Sequence, residues 1–269
     1  MRLHEIYKIL DGLAPKALSD EYCASCHAYD NSGVLVDCGE EIKGVLFTLD
    51  LSHAAIDRAM EKGMNVIVTH HPAIYGKIGN ICVDDSGLLG GKLVKCLRNG
   101  ISVISMHLNL DCAVGGIDES LMQGICHAAG GEDKADVQIM HPLSVGGYGR
   151  SYGVQEITLA ELAENMKKEF SSSRVLYYGD GKKMIRRAAS FCGAGGDESG
   201  VAFAKKTGAD VMISSDFKHH VITMAQESGL AMIVLTHYAS ENYGFEKYYE
   251  KIRRQTGIPC EYHTDENLL

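Results

Sequence analysis

The sequence predicts an α/β protein built from two α/β domains with mostly parallel sheets covered by helices. Short apolar runs alternate along the chain with segments whose apolar residues recur every three or four positions. Strands that alternate with helices usually pair in parallel and are buried on both faces. The length of 269 residues, 45% of them hydrophobic, suits two domains with substantial cores. The 30 glycines indicate many tight turns between strands and helices.

The first predicted domain begins with a helix. Apolar residues at positions 3, 6, 9, 10 and 13 form one stripe of an amphipathic helix that ends within residues 12–15. A β-type run follows at 44–49. Ser52 can cap the next helix, which Gly63 ends, and residues 65–69 form the next strand candidate.

The same pattern then recurs in the chain. A helix is predicted at 86–99, where Gly100 ends it, followed by a strand at 101–106 and a helix at 117–129. This order of strand, helix and strand implies parallel pairing with right-handed crossovers.

Glycines and polar residues between 130 and 150 mark the best candidate domain boundary. We therefore predict domains over residues 1–135 and 136–269. In the second domain, Thr158 and Glu161 form a capping box for a helix that ends near Phe170. The other elements predicted for this domain are strands at 174–178, 185–192, 210–215 and 231–236, helices at 198–206 and 219–227, and a long helix through 254.

Composition and charge argue against several classes of function. The formal net charge of −9 opposes binding to nucleic acids and to anionic membrane surfaces. No apolar run approaches the roughly 18 residues that a membrane-spanning helix needs. Nine cysteines, an odd number without an export signal, favour reduced thiols. We therefore expect a cytoplasmic protein with no membrane partner, for which nucleic acid is a disfavoured partner.

Histidines directly follow three of the predicted strands. After two of these strands, a carboxylate residue comes four positions after the histidine. In chain order these residues are His70 with His71, His107 with Asp111, and His237 with Glu241. Ligands bind at the carboxyl ends of strands in open parallel sheets, and imidazole and carboxylate groups bind Zn, Fe, Mn or Ni. A single histidine at a strand end is more often an ordinary hydrogen-bonded residue. The three segments together favour a metal site, and four histidines with two carboxylates suffice for two divalent metal ions.

The spacing within these segments suits two ions. His70 and His71 are adjacent and point to opposite sides of an extended backbone, so each can bind a different ion. His237 and Glu241 share one face if a helix starts at the end of the strand. Asp111 and Glu241 are then the two carboxylates able to bridge the ions.

Such a site predicts a dinuclear metal-dependent hydrolase that acts on a small-molecule substrate. Two ions lower the pKa of a bound water toward neutrality, so that a metal-bound hydroxide can attack carbon or phosphorus. His107 and His219 are the candidates for a catalytic proton shuttle if either is not a metal ligand. A non-catalytic metal-binding protein that regulates or recruits a partner is the alternative. The glycine-rich turn at 191–197 could hold a phosphate, although most such turns are only tight turns.

Four segments that carry these residues resemble the signature of the GTP cyclohydrolase 1 type 2 family, also called the Nif-three-like family. They are Thr69-His70-His71-Pro72 and residues 106–111, 216–220 and 236–241, in the order that the family shows. Asp30-Asn31 and the run at 45–60 extend the similarity over nearly the whole chain. Three residues depart from those frequent in the family at their positions: Tyr29, Leu108 and Ser215. The long middle insertion of larger members is absent.

The resemblance implies a dinuclear metal site in a cleft between two α/β domains, within a toroidal homohexamer. The implied ligands are His70, His71, His107, Asp111, His237 and Glu241. The implied substrate is GTP, whose imidazole ring would be opened with release of formate. The identity of the two ions, among Zn, Fe, Mn and Ni, stays open.

Overall fold

A computed structural model describes residues 1–78, 81–83, 89–131 and 135–269, and the helices and strands below are those of these residues. The first half of the chain contains α1 (Leu3–Leu13), α2 (Lys16–Cys26), β1 (Gly33–Val36), β2 (Val45–Thr48), α3 (His53–Glu61), β3 (Val66–Thr69), α4 (Leu89–Arg98), β4 (Ser102–Ser105), α5 (Leu108–Cys112) and α6 (Ile117–Ala128). The second half contains β5 (Ala135–Pro142), β6 (Gly147–Thr158), α7 (Leu159–Glu169), β7 (Leu176–Tyr178), β8 (Met184–Ser190), α8 (Glu198–Lys206), β9 (Val211–Ser214), α9 (His219–Glu227), β10 (Ala231–Val234), α10 (His237–Thr256), β11 (Cys260–Tyr262) and a 3₁₀ turn at Glu266–Leu268.

The chain divides into two units. The first unit contains Met1–Ala113 and Phe245–Thr264, and the second contains Val114–Gly244 and Asp265–Leu269. These ranges differ from the predicted 1–135 and 136–269. The helix α6 packs on α7 and β6, and therefore belongs to the second unit. The late strand β11 pairs with β2, and therefore returns to the first unit.

The first unit is built on a five-stranded sheet in the order β1-β4-β3-β2-β11. Every pairing in it is parallel except that of β1 with β4, as the prediction of a mostly parallel sheet requires. Helices α3 and α4 pack beside this sheet, and the resulting core includes Leu46, Ile56, Ile67, Leu93 and Val103. Burial of these apolar side chains is the main stabilising term for the unit.

Register in this sheet brings two predicted ligand segments to one edge. Strands β3 and β4 run parallel, with Thr69 opposite Ser105. The segments that follow them therefore leave the sheet side by side, and the residues predicted to converge there, His70 and His107, do so. The hydroxyls of Thr69 and Ser105 are 2.7 Å apart and link the two strand ends.

The second unit has a six-stranded sheet in the order β5-β6-β8-β9-β10-β7. Only β8 with β9 and β9 with β10 pair in parallel, so the prediction of a mostly parallel sheet is wrong for this unit. The pairs β5–β6, β6–β8 and β10–β7 are antiparallel. The glycines of the β5–β6 hairpin lie in the segment whose sequence predicts a domain boundary. They form the hairpin turn instead, since Gly146 and Gly147 have φ values of 75° and 138°, which L side chains rarely adopt.

Several local predictions are confirmed in the described residues. The hydroxyl of Ser52 accepts from the N–H of Ala55 and caps α3, and Gly63 follows that helix with a φ of 66°. Thr158 and Glu161 form the predicted capping box of α7. The predicted helix at 86–99 is present from Leu89, while its first residues, like residues 132–134, lie outside the described part of the chain.

Helix length and composition also bear on membranes. Among the described residues, no helix is both long enough and apolar enough to cross a bilayer.

Candidate metal centre

Three predicted ligands of the first unit lie together. Single donor atoms of His70, His107 and Asp111 all fall within 4.8 Å of one another. The side chain of His71 joins them, with its ring centroid 4.9 Å from that of His70 and 5.9 Å from that of His107. His70 is fully buried and Asp111 is 3% exposed. Imidazole and carboxylate donors so close together form a set that suits a divalent transition metal.

Local backbone structure places Asp111 in this cluster. The helix α5 begins directly after His107, and the N–H of Asp111 donates to the carbonyl of His107 at 2.9 Å. This single helical turn puts the two side chains on one side of the chain. A spacing of four residues in the sequence thus becomes a pair of adjacent donors.

Each histidine in the first unit is oriented through its Nδ1 atom. Nδ1 of His70 lies 2.8 Å from the carbonyl oxygen of Met106. Nδ1 of His71 lies 2.9 Å from a carboxylate oxygen of Asp50, and that of His107 lies 2.7 Å from one of Asp30. Each of these oxygens accepts a hydrogen bond from the Nδ1–H group of its histidine. Metal-binding histidines in proteins are held in this way.

Asp30 is itself held by two hydroxyl groups. Its other carboxylate oxygen accepts from the hydroxyls of Ser19 and Ser32, each at 2.5 Å. Burial raises the pKa of Asp30, but the hydrogen bond and charge of His107, with the bonds from Ser19 and Ser32, outweigh it and hold that pKa well below its usual range. Asp30 is therefore a carboxylate that supports the ring of His107.

In the second unit, His237 and Glu241 form an adjacent pair on α10. Nε2 of His237 is 3.1 Å from Oε1 of Glu241, and Glu241 is only 3% exposed. The predicted shared face of these two residues is confirmed. Nδ1 of His237 lies 2.5 Å from Oδ2 of Asp216, so this fourth histidine shows the same orientation as the other three.

Sequence reasoning assigned no role to the three carboxylates that orient these rings: Asp30, Asp50 and Asp216. All three lie in segments on which the family resemblance rests, and this was the available signal. Asp216 also has a φ of 52°, a left-handed conformation that aspartate tolerates better than most residues. Asp216 thus adopts this backbone conformation where its carboxylate contacts His237.

The glycine-rich turn at 191–197 lies against this pair, and several of its N–H groups already have acceptors; a phosphate-binding role for it stays a prediction. The N–H groups of Cys192, Gly193, Gly195 and Asp197 all donate within the second unit. Gly193 has a φ of 55°, and a Cβ atom there would clash with Oε1 of Glu241 and lie 3.3 Å from Nε2 of His237. The turn therefore supplies the space that the Glu241 carboxylate occupies.

We expect Gly193→Ala to lower the affinity of the chain for divalent metal by about tenfold or more. Mutation of a residue that only orients a metal ligand usually lowers metal affinity by at least about tenfold. The added methyl group must displace the carboxylate of Glu241. Gly208→Ala is the matched control, because Gly208 also has a positive φ, 71°, but its Cβ would meet no atom within 4 Å. Both variants carry similar backbone strain. Titration with a competing chelator measures the effect, and equal affinities for the two variants would contradict it.

The two candidates for a proton shuttle occupy different surroundings. His107 lies in the cluster with His70 and Asp111, where it suits ligation. His219 is the exposed first residue of α9, and its carbonyl accepts from the hydroxyl of Thr223 at 3.2 Å. The catalytic role of either histidine stays a prediction.

The fold and the two groups of donors define a class: an α/β protein with clustered histidine and carboxylate side chains that could hold a metal ion. Comparison with known proteins gives the family. The model of the Duf34/NIF3 (NGG1p interacting factor 3) family matches residues 1–265, and the chain belongs to this family. The resemblance proposed from the sequence motifs is thereby confirmed.

Individual relatives agree with this membership. The chain is 30% identical over 265 residues to a GTP cyclohydrolase 1 type 2 homolog of Clostridium perfringens, covering 97% of this chain and 95% of the relative. The structure of hypothetical protein SA1388 of Staphylococcus aureus matches with a TM-score of 0.82 at 23% identity, covering 98% of this chain and 96% of the other, and shows the same fold. The structure of reduced HcgD of Methanocaldococcus jannaschii matches with a TM-score of 0.78 at 25% identity, covering 97% of each chain.

Proposed function

We propose that the chain is a dinuclear metal-dependent hydrolase of the GTP cyclohydrolase 1 type 2 kind, acting on a nucleotide or a related substrate. The proposed metal ligands are His70, His71, His107, Asp111, His237 and Glu241. One observation carries the proposal: each of the four histidines has its Nδ1 atom against an oxygen acceptor, the way in which metal-binding histidines are oriented.

Two bound divalent ions would supply Lewis acidity and a water of lowered pKa. The chain's own residues prepare for this chemistry. Asp30, Asp50 and Asp216 keep three imidazoles in one tautomer and one orientation, which reduces the reorganisation needed on binding. His219 from the start of α9, or His107 if it is not a ligand, would transfer the proton that hydrolysis requires.

The names of the relatives support the choice of substrate class. Several are called GTP cyclohydrolase 1 type 2 homologs, among them proteins of Clostridium perfringens and Clostridium acetobutylicum. For this chain we propose hydrolytic opening of the imidazole ring of GTP, with formate as the product that identifies the reaction. The second candidate is a metal-binding protein that recruits a partner without turnover, which the family description as an NGG1p interacting factor favours.

The decisive experiment measures metal content and turnover of the same preparation. We expect elemental analysis to find about two transition-metal ions per chain after loading with Mn, Zn or Fe, and a His70→Ala variant to hold no more than one. His4→Ala, at an exposed position on α1, is the control and should keep both ions.

Turnover separates the two candidate functions. The loaded protein is incubated with GTP and a panel of other nucleotides and phosphoesters, and formate and phosphate are measured. Formate from GTP supports the proposed activity. Full metal content without turnover of any compound would favour the partner-recruiting protein, and full metal content in His70→Ala would overturn the ligand assignment.

A further inference from the structure

Two exposed tyrosines form an aromatic pair in the first unit. Tyr29 is 53% exposed and Tyr75 is 60% exposed, and their ring centroids lie 5.2 Å apart with an angle of 79° between the ring planes. Edge-to-face contact of this kind is a favourable geometry for two aromatic rings. Large exposed aromatic side chains in contact with each other are typical of binding surfaces rather than of core packing.

Hydrogen bonds hold the two rings in place. The hydroxyl of Tyr75 donates to the backbone carbonyl of Tyr29 at 3.1 Å. Beside it, Nδ2 of Asn31 donates to the carbonyl of Ile74 at 2.8 Å. The segments around residues 29–31 and 74–75 are therefore fastened to each other at two points, which presents the rings in a defined arrangement while leaving them exposed.

Both tyrosines of the aromatic pair are close in sequence to residues that form or orient the cluster of His70, His71, His107 and Asp111 in the same unit. Tyr29 is bonded directly to Asp30, whose carboxylate supports the ring of His107. Tyr75 follows His71 by four residues in the segment that leaves β3. Both tyrosines thus belong to backbone segments that position proposed ligands.

We propose that Tyr29 and Tyr75 bind a planar nitrogen heterocycle, such as a purine base, by stacking on the exposed ring surface. The inference rests on the proposed function and adds what the ligand residues do not supply, since imidazoles and carboxylates that hold metal ions do not recognise a base. Stacking suits this task because every heteroaromatic ring has a π-face. The bound ring would lie beside the cluster, with the remainder of the ligand extending from it.

Paired probes that differ only in the base test this inference. Isothermal titration of the metal-loaded full chain with guanosine 5′-monophosphate and with ribose 5-phosphate should show tighter binding of the nucleotide. Tyr29→Ala and Tyr75→Ala should each weaken binding of the nucleotide by about tenfold and leave ribose 5-phosphate unchanged. Tyr75→Phe keeps the ring and the hydrogen bond from Asn31 to Ile74, and should weaken nucleotide binding less than Tyr75→Ala does. Tyr177→Ala, at an exposed tyrosine of β7 in the second unit, is the matched control and should have no effect.

Several outcomes would overturn the inference. They are equal binding of the two probes by the unaltered chain, unchanged nucleotide binding in both alanine variants, and parallel losses for both probes. Loss of metal from both alanine variants would assign the pair a purely structural role and would also overturn it. The failure of the proposed function is distinguishable, because it shows as missing metal or missing turnover in the unaltered chain, where binding of the base is measured separately.

Discussion

Replacing Glu241 with glutamine is expected to lower the affinity of the chain for at least one divalent ion by about 100-fold or more. Loss of a group that only supports a ligand costs about 10- to 100-fold, and a ligand should cost at least as much. Glutamine keeps the shape and one acceptor oxygen but removes the negative charge that offsets repulsion between two cations. Any hydrolysis should fall by more than the loss of metal alone explains. Chelator competition measures the affinity for metal. Turnover at saturating metal measures the loss of hydrolysis that the loss of metal does not explain.

Glu246→Gln provides the matched control for this change. Glu246 lies on the same helix, α10, and its side chain is exposed. The same substitution there should leave metal affinity and turnover nearly unchanged. Equal effects at Glu241 and Glu246, or no effect at either, would mean that the start of α10 does not face the ions.

We expect Asp118→Ala to destabilise the chain by about 3–5 kcal/mol, the usual cost of removing one partner of a buried ion pair. Asp118 is fully buried on α6 and pairs with the guanidinium of Arg150, which is 2% exposed. The same carboxylate accepts from the N–H of Gly149 at 3.0 Å and from that of Cys192 at 3.2 Å. Alanine leaves a buried positive charge and two buried N–H groups without this acceptor. Urea unfolding followed by circular dichroism measures the loss.

Asp20→Ala is the control for the loss of an ion pair at the surface. Asp20 pairs with Lys16 at 2.6 Å, but both side chains are largely exposed, so the unfolding midpoint should change little. Asp118 also accepts from the amide of Cys192, within the turn that contacts Glu241. An Asp118→Ala chain as stable as the Asp20→Ala chain would show that this buried network does not stabilise the second unit.

Local patterns in the sequence determined the elements on which part of the candidate site stands. The caps of α3 and α7 and the glycine after α3 were predictable because capping involves residues only three or four positions apart. The convergence of His70 and His107 was predictable as well, because consecutive parallel strands with a crossover helix end at one edge. The i and i+4 pair of His237 and Glu241 needed only the period of a helix.

Pairing between distant segments was decided by the tertiary structure alone. Strand β11 returns to β2, and residues 135–158 form a hairpin rather than a domain boundary. Both depend on which edges and apolar faces are available once the rest of each unit has packed. A short run of residues therefore does not predict which distant strand it will pair with.

The sequence by itself determined the donors of the candidate metal site, and the tertiary structure decided what holds them. Asp30 lies 77 residues before the ring it orients, while Asp50 and Asp216 each lie 21 residues before theirs. Histidine and carboxylate at strand ends are visible because secondary structure repeats over short distances. Two features exist only when packing brings separate segments into contact. They are the hydrogen bonds that orient each ring and the space beside Gly193 that the Glu241 carboxylate occupies.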